Sequence, residues 1–478
     1  MNEKEKGQQS PQDNNAAMKS RDIFEGPILP TLLRLSYPIL IAMFSLTVFN
    51  IVDTFYVSRL GSDALTAMGF TFPIFIFLIA VGAGLTIGVS SLVARAIGAG
   101  LPDFAAESGK HGVVMAVILG LLVTGLGLLF TPGIVSFMGA DKEIRAMTES
   151  YVNVMLMACV FKYLLHVFEG TLRGEGYTRI SMRMLLISSI TNIVLDPFFI
   201  FGIWFFPRME VQGAAVATAI SWLVGCLYAL DYYRRGKGIF NLDFRGFSFR
   251  FNYVRDTIRV GVPASLTQGF LSIALLLFNR ILMIMPQGNS LVAAFGVGFR
   301  VEALVILPLI GLSAGSVVMI GQNYGAGKFK RVQETIIQAR WFVFLVMGAT
   351  GMVVILLAPS MMRLFSEDPA VLTFGVQYLR ITALTYGFLG VGMLANASFQ
   401  GMGMGYPALI NIFIRFMGIQ MTVAYGLAVV SDMGSWGAWS AVALANLAYG
   451  LISSFWINSY VRRKMDTGES MQPLWNNP

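Results

Sequence analysis

Two carboxylates and one amide stand where a lipid-facing chain has every reason to avoid them. The stretch Thr191-Asn-Ile-Val-Leu-Asp-Pro197 lies inside an apolar run from about residue 180 to 206, long enough to cross a bilayer. An ionised group at that depth is costly and is kept where it has a use. Asn192 and Asp196 are four residues apart, so they share one helical face. Pro197 removes a backbone donor and frees the carbonyl one turn earlier. Asp53 is a second acid, in the outer part of the first apolar span, with Asn50 three residues before it. Two carboxylates facing one cavity do not both stay ionised without a counter-charge, so such a pair takes up a proton or a cation. Thr218, on the sixth span, adds a hydroxyl. Asp53, Asn192, Asp196 and Thr218 form an oxygen-only set, suited to a hard monovalent cation such as Na⁺ or to a proton. The same residues could equally serve as a hydrogen-bond network that holds three helices together.

Other polar residues fall within the spans. Lys162, His166 and Glu169 share a face of the fourth span, where Glu169 could attract a cationic substrate or pair with Lys162 or Arg173. His166 could shuttle protons or simply pack. Glu302, in the eighth span, has Arg280 and Arg300 as candidate partners. Pro38 interrupts the ladder of the first span and is a candidate hinge. Substrate contacts are expected from Asn50, Asp53, Glu169 and Asp196.

These residues must be positioned by membrane helices. Of 478 residues, 56% are hydrophobic and 13% charged, and the mean hydropathy is +0.68. Twelve apolar spans are expected, at about 33–57, 64–94, 111–137, 148–172, 180–206, 213–233, 259–285, 290–320, 335–358, 372–401, 406–430 and 434–461. The net charge of +8 is spread over short loops rather than gathered in a stripe, which argues against nucleic acid. Positive residues crowd the central loop (Arg234, Arg235, Lys237, Arg245, Arg250) and the termini. That bias predicts both termini on the cytoplasmic side. The two cysteines, Cys159 and Cys226, lie in apolar runs and suggest neither a disulfide nor a metal site. No Walker loop, dinucleotide glycine motif or zinc-spaced histidine pair is present, so an enzyme is not expected and transport would run on an ion gradient or downhill.

The halves repeat at a shift of about 225 residues. Leu35-Ser-Tyr-Pro38 parallels Val260-Gly-Val-Pro263. Gly84-x-x-x-Gly88 parallels Gly311-x-x-x-Gly315, Gly98-Ala-Gly100 parallels Gly325-Ala-Gly327, Gly174-Glu-Gly-Tyr177 parallels Gly403-Met-Gly-Tyr406, and Gly213-Ala parallels Gly437-Ala. Six spans per half make a parallel repeat, two similar bundles around a cleft. The glycine pairs are read as close-packing positions. The expected organisation is a disordered cytoplasmic tail (1–30), a first lobe (31–235), a linker (236–255), a second lobe (256–465) and a tail (466–478). Two lobes in one chain make a monomer sufficient. With 27 methionines and 37 phenylalanines, an adaptable apolar cavity that attracts organic cations is permitted.

The residues Leu35-Ser-Tyr-Pro38, Asn50-Ile-Val-Asp-Thr-Phe-Tyr-Val-Ser-Arg-Leu-Gly61, Val93-Ala-Arg-Ala-Ile-Gly-Ala-Gly100, Gly170-Thr-Leu-Arg-Gly-Glu-Gly176, Asn192-x-x-x-Asp196-Pro197 and Gly321-Gln-Asn-Tyr-Gly-Ala-Gly327 resemble the multidrug and toxic compound extrusion (MATE) transporters. The resemblance covers about residues 28–465 and is nearest the bacterial MepA-type branch, beside the DinF-like group. It implies an all-α membrane protein of twelve helices in two pseudo-symmetric six-helix lobes, V-shaped, rocking between inward- and outward-open forms. It implies a bacterial inner-membrane antiporter that exports cationic lipophilic drugs and dyes in exchange for H⁺ or Na⁺, with no other cofactor. Its coupling residues correspond to Asp53, Asn192, Asp196 and Thr218, and Glu169 matches an acid of the MepA-type branch. The second-lobe acids of another branch are missing here. A lipid-linked oligosaccharide flippase of the same superfamily is the alternative. It would favour several cavity arginines and fourteen spans.

Overall fold

The computed structural model describes residues 21–240 and 243–467. Its helices are α1 (Ile28–Ser58), α2 (Ser62–Gly98), α3 (Pro102–Phe137), α4 (Lys142–Met157), α5 (Cys159–Gly174), α6 (Thr178–Phe201), α7 (Glu210–Arg234), α8 (Phe251–Met283), α9 (Gly288–Gly325), α10 (Phe329–Arg363), α11 (Pro369–Ala383), α12 (Tyr386–Gly401), α13 (Gly405–Phe413) and α14 (Gly434–Thr467). Among the described residues ten helical segments are long and apolar enough to cross a membrane, and two bent pairs bring the total to twelve. The fourth and tenth spans, expected to be continuous, are broken: α4 and α5 meet at 49°, α11 and α12 at 58°. The two breaks fall at Ala158 and near Thr385, equivalent places in the repeat, so the bend belongs to the duplicated unit. The eleventh span also departs from a plain helix. After α13 it runs as π-helix over Ile414–Met421 and Tyr425–Val430, a wide-turn geometry uncommon at this length.

Each half buries its own core. The first lobe packs Tyr163, Phe168, Leu172, Ala214 and Trp222; the second packs Phe278, Phe295, Tyr378 and Trp439. The lobes meet through the two glycine pairs. A Cβ on Gly84 would stand 2.5 Å from the Gly261 carbonyl oxygen, and one on Gly88 2.6 Å from that of Thr257, both on α8. A Cβ on Gly315 would collide with Ser36 Oγ, and one on Gly311 would stand 3.1 Å from Leu40 Cβ, both on α1. So α2 closes on α8 and α9 on α1, a pseudo-symmetric clasp made by the repeated motif, and the packing role expected of these glycines is the one seen. The clasp lies in the second halves of α2 and α9 and the first halves of α1 and α8, the end that carries the central loop, here called inner. Further inner-end bonds cross the divide: Ser91 Oγ donates to Gln400 O, and Gln322 Nε2 donates to Gly174 O (3.0 Å).

The tail expectation for 1–30 needs correction over the described part. Residues 21–25 form a helical turn. Its carbonyls are captured by the second lobe: Asn323 Nδ2 (3.2 Å) and Arg331 Nε (2.9 Å) both donate to Ile23 O, and Arg331 donates to Gly26 O. Ile23 is buried and, with Leu32 and Leu35 of α1, joins the second lobe's core. The linker is shorter than expected because α8 starts at Phe251, and α14 extends to Thr467. The remaining tail assignments, 1–20 and 468–478, lie outside the described residues. Pro38 sits within an unbroken α1 beside the Ser36 and Leu40 contacts.

Candidate functional site

Three helices of the first lobe bring the polar set together. On α6 the buried face repeats every three or four residues, Leu185, Ser189, Asn192, Asp196 and Ile200, so the i, i+4 spacing of Asn192 and Asp196 turns both inward. On α7 small residues, Ala214, Ala215 and Ala217, let α6 approach closely and place Thr218 opposite Asn192. Asn192 Nδ2 donates to Thr218 Oγ1 at 3.0 Å. Asp53 enters from the outer half of α1, 5% exposed; Asp196 is 0% exposed.

The acceptors of this site outnumber its donors. Both Asp196 oxygens, Asp53 Oδ1 and Asn192 Oδ1 are buried without a hydrogen-bond partner. The Asn192 amide is close enough to act on the Asp196 carboxyl, but its bond of good geometry goes to Thr218. Asp53 and Asp196 lie within electrostatic range of each other and of Tyr151 on α4. Buried acceptors left unpaired are rare and costly. A cation or protons supplied to the cluster would satisfy them. Among the described residues no three or more His, Cys, Asp or Glu converge; the donor set is two carboxylates, an amide and a hydroxyl.

Other candidates are not gathered here. Asn50 is exposed, and its Nδ2 donates to Leu46 O at 2.8 Å, so it leaves Asp53 without the extra oxygen expected. Glu169 lies deeper, toward the inner end, ion-paired with Arg173. Thr86 Oγ1 is 3.2 Å from Glu169 Oε2, and His166 Nδ1 is 3.3 Å from the same oxygen. The carboxylate is thus already neutralised by a neighbour one turn away on its own helix. Lys162 does not pair with it; its ammonium sits 4.5 Å from the Phe75 ring centre and 4.8 Å from that of Trp222. Glu302 binds neither Arg280 nor Arg300. It accepts from Tyr378 Oη at 2.5 Å and feels Arg415, which donates to Asn446 Oδ1 at 2.8 Å. Arg280 and Arg300 fall on other faces of their helices, where spacing alone had not excluded them.

Sequence reasoning missed Tyr151 and Ser189. Ser189 Oγ is buried without a partner, three residues before Asn192; that spacing was readable. Tyr151 was not, because the bend at Ala158 decides where the first half of the fourth span points.

The MatE family matches residues 38–198 and 263–426, one copy per lobe. The chain is 29% identical over 442 residues to an FAD transporter of Shewanella oneidensis, covering 91% of this chain and 95% of the relative. It is 28% identical over 398 residues to a probable multidrug resistance protein NorM of Thermotoga maritima, covering 82% and 84%. It is 26% identical over 409 residues to the multidrug export protein MepA of Staphylococcus aureus, covering 83% and 88%. Among solved structures, the outward-facing conformation of a multidrug resistance MATE family transporter of the MOP superfamily superposes with a TM-score of 0.87 at 29% identity, covering 94% of this chain and 99% of that one. With both lobes matched and the helices arranged as in solved members, this multi-pass membrane protein belongs to the MatE family and is a MATE transporter, not an enzyme.

Proposed function

We propose that the chain is a secondary antiporter that exports cationic lipophilic drugs and dyes in exchange for H⁺ or Na⁺, by alternating access between its lobes. The observation that carries this reading is the cluster of buried acceptors without donors, Asp196 Oδ1 and Oδ2, Asp53 Oδ1 and Asn192 Oδ1. Such a cluster has its lowest energy with a positive charge or protons in it. Asp53 and Asp196 hold the coupling ion, Asn192 Oδ1 adds a neutral ligand, and Thr218 fixes the amide. An organic cation and the coupling ion compete for the same negative charge, and that competition links export of one to influx of the other. Binding acts on the lobes because α1, which carries Asp53, also forms half of the clasp through Ser36 and Leu40. Pro38 between them serves as the flexing point. The multidrug names of two relatives agree with this cargo. The chain sits in the bacterial inner membrane with both termini cytoplasmic and works as a monomer.

The test is dye efflux from inverted vesicles, with H⁺ and Na⁺ gradients imposed separately, on wild type and Asp196→Asn. Efflux under one gradient, abolished in Asp196→Asn while the protein stays folded, is the expected outcome and names the ion. Full efflux in the variant defeats the proposal. The FAD transporter relative favours a second reading, in which the cargo is nucleotide-like; including riboflavin and its 5′-phosphate among the substrates compares the two.

A further inference from the structure

Among the described residues, Lys162 is a buried cation of the first lobe that, unlike Arg173, has no carboxylate partner, and the antiport reading leaves it unused. It is 4% exposed on α5, and its side-chain ammonium has no hydrogen bond or ion pair to any described residue. Its near neighbours explain why. Glu169 is committed to Arg173 and His166. Among the described residues no carboxylate stands within ion-pair distance of the Lys162 ammonium, and Cys159 and His166 lie one turn to either side on the same helix. Two aromatic faces, Phe75 from α2 and Trp222 from α7, hold the ammonium instead. Cation–π contacts recover part of the cost of burying a charge and leave the remainder standing. An ammonium kept at that cost without a carboxylate is complementary to an anion.

Its position adds to this. Trp222 is one turn inward of Thr218 on the same face of α7, and Asn192 is one turn inward of Asp196. Two helical turns, about 10 Å along the helix axes, therefore separate the level of Trp222, where the ammonium sits, from that of Asp196, about the length of a fused three-ring system. Phe75 is half-buried while Trp222 and Lys162 are buried, so any approach to the ammonium is from the Phe75 side.

We propose that Lys162 is a specificity-determining residue: it receives the anionic group, carboxylate or phosphate, of a planar aromatic substrate whose body lies against Phe75 and Trp222. For a zwitterion, the positive end would reach Asp53 and Asp196. This rests on the reading of the first lobe as the cargo chamber, and it widens the cargo from organic cations to aromatic molecules that also carry a negative charge.

The experiment uses full-length protein in proteoliposomes and two matched pairs of fluorescent substrates. One pair is a rhodamine ethyl ester and its free carboxylic acid; the other is riboflavin and riboflavin 5′-phosphate. Wild type is expected to transport the acid, the phosphate or both. Lys162→Met is expected to lower kcat/KM for the anionic member roughly ten- to hundredfold, to leave the ester within about twofold, and to be rescued by Lys162→Arg. Loss confined to the acid identifies a carboxylate site, and loss confined to the phosphate a phosphate site. Equal loss for ester and acid makes Lys162 a structural residue and overturns the proposal, as does no loss at all. Ester transport by wild type with neither anion carried also overturns it, while leaving the cation antiport intact; failure of every substrate sinks both. Fluorescence anisotropy of acid and ester on detergent-solubilised wild type gives the same comparison without a variant: equal affinities refute the anchor.

Discussion

The clasp between the lobes makes a sharp prediction at Gly84. A methyl group there would meet Gly261 O at 2.5 Å, where ordinary contact starts at 3.4 Å, and would collide with Ser265 Oγ as well. The serine hydroxyl can swing aside, but the Gly261 carbonyl is backbone and can retreat only with α8. The shortfall, 3.4 − 2.5, is 0.9 Å. Overpacking of this kind costs about 1–3 kcal/mol. At 1.4 kcal/mol per tenfold, Gly84→Ala should disfavour the clasped state by roughly 5- to 150-fold. The substitution also removes a flexible residue from mid-helix, so Gly69→Ala on the same helix, where nothing lies within 4 Å, is the control. Spin labels at Phe55→Cys and Leu277→Cys, both exposed on the outer halves of α1 and α8, would report the lobe separation after Cys159 and Cys226 are replaced by alanine. The expected result is a new, shorter outer distance and slower efflux in Gly84→Ala, with Gly69→Ala like wild type. Superimposable distance distributions in all three proteins would refute the reasoning.

Two further expectations concern the inner end of the first lobe. Arg173→Met strands the buried Glu169 with only His166 and Thr86, at a cost of about 3–5 kcal/mol. Thermal unfolding in detergent should show that loss, and adding Glu169→Gln should restore most of it; an unchanged midpoint in Arg173→Met would mean the pair is not buried. Glu175, just beyond α5, accepts from Tyr233 Oη (3.2 Å) and Ile239 N (3.3 Å), yet burial pushes its carboxyl up to about 7. The folded state thus holds this proton more tightly than the unfolded chain. Wild type should lose stability, by at most about 3 kcal/mol, as pH rises from about 4.5 to 7. Glu175→Gln should flatten that window, and equal slopes for the two proteins would contradict the assignment.

Much of this was legible because lipid simplifies the rules. Apolar runs of about 20 residues must be helices, and an acid among them must face protein. The shared face of Asn192 and Asp196 therefore followed from spacing, as did the glycine pairs from the repeat, while Thr218, on another helix, was reached through the family resemblance. What failed was anything that depends on the direction of a broken or widened helix. The bends at Ala158 and near Thr385 leave the hydropathy of their spans intact, because Met157, Cys159, Leu384 and Tyr386 are all apolar or aromatic. The π-helical stretch around Arg415 turns that residue toward Tyr449 and Asn446, which a regular 3.6-residue count does not anticipate. Asn50 failed for another reason. At three residues from Asp53 it can share the face or border it, and its amide donates instead to Leu46 O on its own helix.

The captured turn at residues 21–25 changes how α1 should be regarded as a mechanical part. Asp53 belongs to the first lobe, but the chain just upstream is moored to Asn323 and Arg331 of the second. The helix is therefore a leash across the divide, pulled from one end by the lobe that does not hold the acid. A chain shortened to begin at α1 would keep every residue of the charge cluster and cut the leash. The acceptor cluster would stay intact while the two bodies lost a shared rein on how far they can swing apart.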